Sequence, residues 1–203
     1  NVQMAGLDGQ SAAPPVLINN VETLANVPAI IARSAAWFRE VGTADSPGTV
    51  VCTVSGDVRH PAVVEVPMGT TLRAVLELAG GVPDRRTLGA VLLGVSNAVV
   101  TADQLDTPLS YEAMSAIGSG LGSASFIVVA NDVAPIAIAA SVAPFLAIES
   151  CGQCMHCKQD GMDIARMLSE LARRGGEMGD LAAVELRLST VAEGARCGLA
   201  AQQ

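Results

Sequence analysis

Cysteines are the residues with the clearest potential chemistry in this sequence. The chain has five, and four of them lie between residue 151 and its end. Cys151, Cys154 and Cys157 form a run at a spacing of three, and Cys197 follows much later. The number is odd, the triplet is close and no secretory signal segment opens the chain, so a disulfide framework is disfavoured. We predict reduced thiols that bind a metal.

The spacing of the four clustered cysteines favours an iron–sulfur cluster over a single ion. Three thiolates on one loop can bind one face of a cubic cluster, and a remote fourth cysteine completes the set. A structural zinc site more often pairs two separate CxxC units, which would leave one cysteine of the triplet idle. We predict a 4Fe–4S cluster with Cys151, Cys154, Cys157 and Cys197 as ligands. Zinc and inert thiols stay as the alternatives.

The neighbours of the triplet fit a cluster as well. Gly152 allows close backbone approach, and the loop is expected to lead into a helix near Asp160, whose first N–H groups can donate to sulfur. Lys158 and Arg196 could offset the charge of the cluster, or they could be solvated surface cations. His156 is expected to be a spectator because four cysteines already fill the ligand shell.

Composition excludes two classes of function. The chain has 203 residues, half of them apolar and 16% charged, which predicts a folded core. No apolar run reaches the roughly 18–20 residues of a membrane-spanning helix. The net charge is −8, and no basic stripe is present to bind phosphates, so nucleic-acid binding is not expected. Cys52 lies in a predicted strand and is expected to be a buried small side chain.

Three parts are expected to position the cysteines. In the first, residues 1–45, an apolar pattern predicts a helix from Leu24 to Phe38 that Asn20 caps and Gly42 ends. The second, residues 46–132, is predicted to be a small α+β domain with a helix on one face of a mixed sheet. Its predicted elements are strands at 49–55, 62–66, 88–95 and 125–130 and a helix at 72–78.

The third part, residues 133–203, is predicted to be helical. Three stretches carry helical patterns, and Gly175 and Gly176 separate the last two. The predicted helices are 134–148, 162–174 and 179–193. We expect a short helical bundle whose loops carry the four clustered cysteines.

Three motifs in order resemble one family. The segment 149–154, ESCGQC, continuing to Cys157 and Gly161, is similar to the ESCGxCxPCRxG motif of the flavin-binding, NADH-oxidising subunit of respiratory complex I. Related diaphorase subunits of hydrogenases and formate dehydrogenases share this motif. The segment 19–28, NNVETLANVP, matches a second signature of that family, and 55–72 resembles its soluble-ligand-binding β-grasp (SLBB) module.

The resemblance implies a fold and a function. It implies a β-grasp (ubiquitin-like) domain followed by a helical bundle with one 4Fe–4S cluster, which takes electrons singly from FMN after hydride transfer from NADH. Asn19 and Asn20 correspond to residues on the flavin side of the family's fold, although helix capping would equally explain them. Other iron–sulfur subunits would be the partners, in a cytoplasmic complex at the inner face of the membrane.

The sequence also departs from the family pattern. The glycine-rich FMN and NADH segments precede the NNVET motif in the family, and nothing here corresponds to them. The chain alone is therefore not expected to oxidise NADH, and it is either part of a longer polypeptide or a truncated relative. Residues 155–158 replace the usual Thr-Pro-Cys-Arg. A non-catalytic adaptor with a structural cluster, which binds a ligand or a partner, is the competing hypothesis.

Overall fold

The computed structural model describes residues 18–95, 97–176 and 178–202, so the predicted Gly/Ser/Ala/Pro lead at 1–15 lies outside the described part. Seven α-helices and five strands are described, together with short 3-10 turns at 102–104 and 200–202. The helices are α1 Val21–Arg33, α2 Ala35–Phe38, α3 Leu72–Leu78, α4 Tyr111–Ala116, α5 Pro135–Glu149, α6 Met155–Arg174 and α7 Met178–Thr190. The strands are β1 Thr49–Gly56, β2 Ala62–Pro67, β3 Leu88–Leu93, β4 Val100–Thr101 and β5 Ser125–Ala130.

The strands form one mixed sheet in the order β2-β1-β5-β3-β4. β1 runs antiparallel to β2 and parallel to β5, while β3 runs antiparallel to both β5 and β4. The α+β class and the four longer strands were predicted. The short strand β4 and the helix α4 were missed, because two residues and one helical turn carry too little periodicity to be recognised.

The main core covers one face of this sheet. Along β1, Val50, Cys52 and Val54 are buried while Val51 is exposed, as the two-residue repeat of a strand requires. Helix α3 packs its apolar side into the same cluster, and Phe126 of β5 is among its fully buried members. The predicted helix on one face of the sheet is confirmed.

An ion-pair network joins three chain segments that lie at ends of the strands, close to the start of α5. Arg86 donates to Asp57 Oδ1 at 2.7 Å and to Asp132 Oδ1 at 2.6 Å. The other oxygen of Asp57 accepts the N–H of Ala130 at 3.0 Å. The network therefore fixes the turn after β1, the segment before β3 and the end of β5, from which the chain enters α5.

Replacing Asp57 with asparagine should destabilise the fold in a pH-dependent way. The N–H of Ala130, followed by the hydrogen bond and charge of Arg86, lowers the pKa of Asp57. The carboxylate contribution is thus complete above the unfolded pKa of about 3.9 and is lost as the pH falls through the lower folded value. We expect Asp57→Asn to cost about 1 kcal/mol at pH 7 and less at pH 3, measured by urea unfolding. The control is exposed Asp45→Asn, and an equal loss at both pH values would contradict this account.

The three C-terminal helices pack against each other, α5 on α6 and α6 on α7. A second apolar cluster lies between them, and its alanines allow the helices to approach closely. Its buried members are Ala143, Ala147, Ile164, Ala165 and Val191. No helix in the described part of the chain is long and apolar enough to cross a membrane.

Three predicted helix boundaries were wrong, the mildest being the end of 179–193, since α7 ends at Thr190. The first predicted helix does not run on to Gly42. Helix α1 ends at Arg33, and Ser34, whose φ is 95°, interrupts the helical backbone before α2 begins. Helix α6 begins at Met155 rather than at 162. Cys157 therefore lies in the first turn of α6, and not in a loop as expected.

Candidate metal centre

The loop that carries the cysteine triplet lies between α5 and α6. Helix α5 ends at Glu149, and Cys154 is the N-cap of α6 without a side-chain capping bond. The first N–H groups of a helix have no partner within the helix, so they are available at this loop to a negatively charged group. Gly152 adopts φ 78°, a left-handed conformation that favours glycine.

The four predicted ligands differ in exposure. All four are free thiols: Cys151 and Cys197 are exposed, Cys154 is partly exposed and Cys157 is buried. The sulfur of Cys157 lies 3.3 Å from the hydroxyl oxygen of Ser150, which also accepts the N–H of Gly152 at 3.5 Å. The serine thus connects the buried thiol to the loop. No signal in the sequence other than its place beside Cys151 indicated this role.

The segment that carries Cys197 approaches the triplet. Arg196 Nη1 donates to the side-chain oxygen of Gln153 at 3.4 Å. The residue before Cys197 therefore contacts the residue before Cys154, although the two are far apart in sequence. Arg196 is exposed, and this hydrogen bond is its contact with the cysteine loop.

Asp160 of α6 fixes the position of α7. The segment that follows α7 and carries Cys197 is thereby positioned as well. Its buried carboxylate accepts hydrogen bonds from Thr190 at 2.8 Å and from Arg187 at 3.3 Å, and it lies 3.2 Å from His156 Nδ1. His156 thus has a structural partner, and its spectator role at the cluster stays a prediction. Sequence reasoning missed Asp160; its position four residues after His156, on the same helix face, is the one available signal.

The structure brings the two cysteine-bearing segments together but does not gather the four thiols into a compact site. In the described part of the chain, no group of three or more His, Cys, Asp or Glu side chains is arranged to hold a metal ion. The donor chemistry nevertheless fits an iron–sulfur cluster, because three free thiols lie beside the unused N–H groups at the start of α6, and the residue before the fourth cysteine contacts the same loop. The ligand set Cys151, Cys154, Cys157 and Cys197 stays a prediction.

Asn20 is the N-cap of α1. Its Oδ1 accepts the N–H of Glu22 at 2.8 Å and that of Thr23 at 3.4 Å. Asn20 also lines a cavity of about 490 Å³ with both polar and apolar walls, together with Thr49 and Ser123 at the end of the sheet. Asn19 is exposed. Helix capping is therefore an observed role of Asn20, and the flavin-side role of both asparagines stays a prediction.

Replacing Asn20 with alanine should therefore weaken α1. Loss of an N-cap typically costs about 1 kcal/mol, and we expect that loss in the free energy of unfolding of this segment, measured by amide hydrogen exchange in α1. Asn20→Asp is the matched control, since aspartate caps helices equally well. Equal protection of α1 in Asn20→Ala and the wild type would contradict the capping role.

Two segments of the chain match described protein regions and define its class. Residues 137–203 match the NADH-ubiquinone oxidoreductase-F iron-sulfur binding region, and residues 51–94 match the SLBB domain. The first segment contains the four clustered cysteines and helix α6. The second runs from β1 to the end of β3. The chain is thus of the class of iron–sulfur-binding redox proteins.

Relatives with known names narrow the class to one family. The chain is 36% identical over 190 residues to the second F-type NADH-quinone oxidoreductase subunit of Rhizobium meliloti, covering 92% of this chain and 45% of that protein. It is 34% identical over 187 residues to the HndC subunit of the NADP-reducing hydrogenase of Solidesulfovibrio fructosivorans, covering 91% and 38%. An air-oxidised NAD+-reducing NiFe hydrogenase structure matches with a TM-score of 0.80 and 33% identity, covering 93% and 32%.

The chain belongs to the family of NADH-oxidising subunits of complex I and related hydrogenases, over the part that carries the SLBB and iron–sulfur binding regions. The resemblance seen in the sequence motifs is confirmed. The chain spans less than half of the length of the relatives it matches. The family uses FMN and a 4Fe–4S cluster, and the expected cofactor class is confirmed at that level.

Proposed function

We propose that this chain is the electron-transfer segment of an NADH:acceptor oxidoreductase. It would connect FMN, bound largely outside the segment, to a partner iron–sulfur protein through a 4Fe–4S cluster held by Cys151, Cys154, Cys157 and Cys197. The observation that carries the proposal is the cysteine loop at the start of α6, which the segment before Cys197 contacts through Arg196 and Gln153.

When bound, the cluster supplies a site that accepts and releases one electron. The chain's own residues hold it and set its surroundings. The unused N–H groups at the start of α6 stabilise negative charge there. Burial of Cys157 excludes water from one side of the site, while exposed Cys151 and Cys197 leave the other side open to a partner.

The proposal extends to the domain organisation. Residues 1–45 would be the end of a flavin domain with its connecting helix, residues 46–132 a β-grasp domain of the SLBB type, and residues 133–203 the helical cluster-binding domain. The central parallel pair β1–β5, flanked by β2 and β3, supports the β-grasp assignment. Asn19 and Asn20 would lie on the flavin side, and Asn20 lines the cavity at the end of the sheet.

The partners would be other iron–sulfur subunits of a multi-subunit oxidoreductase. The names of the relatives support this, since they are subunits of a quinone oxidoreductase and of a hydrogenase. We place the complex in the cytoplasm, at the inner face of the membrane.

A redox titration tests the electron-transfer role. The chain, prepared without oxygen, is reduced stepwise with dithionite and followed by EPR. We expect a paramagnetic signal that appears on reduction and disappears on reoxidation. A cluster that is present but redox-silent over the whole range would contradict electron transfer and favour the structural alternative.

One observation favours a second candidate function, a ligand-binding adaptor. An apolar cavity of about 530 Å³ lies between the sheet and α5, a size typical of small-molecule sites. Leu92, Val129, Ile138 and Val142 line it, with Asn97 among its polar groups. Saturable binding of a small apolar dye, lost in Val142→Trp, together with a redox-silent cluster, would support this candidate over the first.

A further inference from the structure

Lys158 is the only lysine in the chain, and it occupies an unexpected position. It lies in the first turn of α6, directly after Cys157. Its ammonium group donates to the carbonyl oxygens of Ala147 at 2.7 Å, Ser150 at 3.3 Å and Ile148 at 3.4 Å. Lys158 is therefore neither a solvated surface cation nor, in its described contacts, a direct partner of the thiols.

The carbonyls that Lys158 binds are those left unpaired where α5 ends. The last carbonyls of a helix have no partner within it, and a cation placed there is favourable for both hydrogen bonding and the helix dipole. Lys158 thus ties the end of α5 to the start of α6. The cysteine loop, residues 150–154, connects the two helix ends that Lys158 joins.

The contacts of Lys158 also influence the positions of two predicted ligands, Cys151 and Cys157. Ser150, whose carbonyl Lys158 binds, directly precedes Cys151, and its hydroxyl lies 3.3 Å from the sulfur of Cys157. One side chain therefore fixes the backbone before the first thiol and the surroundings of the third. Without Lys158, the start of the loop would keep, among the described residues, the hydrogen bond from the Ser150 N–H to the carbonyl of Leu146 and the Ser150–Cys157 contact.

We propose that Lys158 is a positioning residue that holds the cysteine loop in its cluster-binding arrangement through the carbonyls of α5. This inference rests on the proposed ligand set for its consequence at the cluster, but not for the tie itself. Arginine also carries several N–H donors and a permanent charge, so it keeps the donors and the charge that the tie requires. Methionine keeps an unbranched apolar stem and removes every donor.

The test compares Lys158→Met, Lys158→Arg and the control Arg166→Met. Arg166 is an exposed cation on the same helix that pairs with Asp163 and Glu170. The first measurement is amide hydrogen exchange of residues 150–153 in the full chain as purified. We expect exchange about tenfold faster in Lys158→Met, as loss of a charged hydrogen-bonded tie predicts, and near the wild type in the other two.

The second measurement follows the cluster itself. We expect Lys158→Met to lose its cluster to a chelator about tenfold faster than the wild type and to show a broadened EPR signal, with both properties restored in Lys158→Arg. Wild-type exchange and wild-type cluster loss in Lys158→Met would overturn the proposal. So would a failure of arginine to restore them, or a loss of protection along the whole of α6.

The two measurements separate this inference from the proposed function. Amide exchange reports on the tie whether or not a cluster is present. If the wild type binds no cluster, the proposed function fails, while faster exchange in Lys158→Met would still support the tie.

Discussion

Replacing Cys154 with alanine is expected to abolish cluster binding and to lower the melting temperature by roughly 10 °C. Binding of a metal group contributes its free energy to the folded state alone, so losing a ligand removes that stabilisation. A loss of a few kcal/mol shifts the melting temperature of a chain of this size by about that amount. Visible absorbance and calorimetry of the anaerobic protein measure the two effects.

Cys52→Ala is the matched control. Cys52 is fully buried in the core of the sheet, and burial, with a smaller contribution from Glu22, raises the pKa of its thiol to about 11. The thiol is therefore neutral at pH 7, and it is enclosed by the core of the sheet. We expect Cys52→Ala to retain the cluster and to cost about 1 kcal/mol from lost packing. Unchanged absorbance and melting in Cys154→Ala would show that the ligand assignment is wrong.

Replacing Asp160 with alanine is expected to destabilise the fold strongly for a polar residue, by about 3 kcal/mol. The substitution removes the shared acceptor of Thr190 and Arg187 and the partner of His156, all at the contact of α6 with α7. Loss of one member of a buried hydrogen-bonded ion pair typically costs this much. The measurement is the free energy of unfolding in urea at pH 7.

Asp163→Ala provides the control on the same helix. Asp163 also contacts Arg187, at 3.3 Å, but its side chain is partly exposed. An ion pair of this kind contributes less than about 1 kcal/mol. Equal losses in the two variants would contradict the special role of the buried carboxylate.

The effect of Asp160 should also depend on pH. Burial raises the pKa of Asp160, but the hydrogen bonds from Thr190 and His156 and the charge of Arg187 outweigh it, so that the pKa is lowered overall. The stabilisation is then present above the unfolded pKa of about 3.9 and is lost as the pH falls through the lower folded value. We expect the difference between the wild type and Asp160→Ala to narrow from pH 5 to pH 3, in parallel urea titrations.

The sequence predicted the elements whose periodicity is strong. The β-branched run at 49–55 and the glycines after Leu78 gave β1 and α3 nearly to the residue. The start of α6 was not predicted, because residues 155–161 are mostly polar and include Gly161. Ser34 likewise offered no sign that it would take a positive φ and end α1 early.

The candidate site was predictable in its residue types but not in its contacts. The spacing of the cysteines indicated the cluster, whereas the partners of Lys158 and Arg196 depend on how α5, α6 and the segment after α7 meet. Thr190 lies thirty residues from Asp160 in sequence, and no local pattern connects them. Such contacts are fixed by helix packing, which single-residue preferences do not specify.

Elemental analysis of the chain prepared without oxygen tests most directly whether the four thiols bind a 4Fe–4S cluster. Iron, zinc and acid-labile sulfide are measured per polypeptide in the wild type. A 4Fe–4S cluster bound by the cysteines of residues 151–197 requires about four iron atoms and about four sulfides. Zinc without sulfide, or neither metal after reconstitution with iron and sulfide, would contradict it.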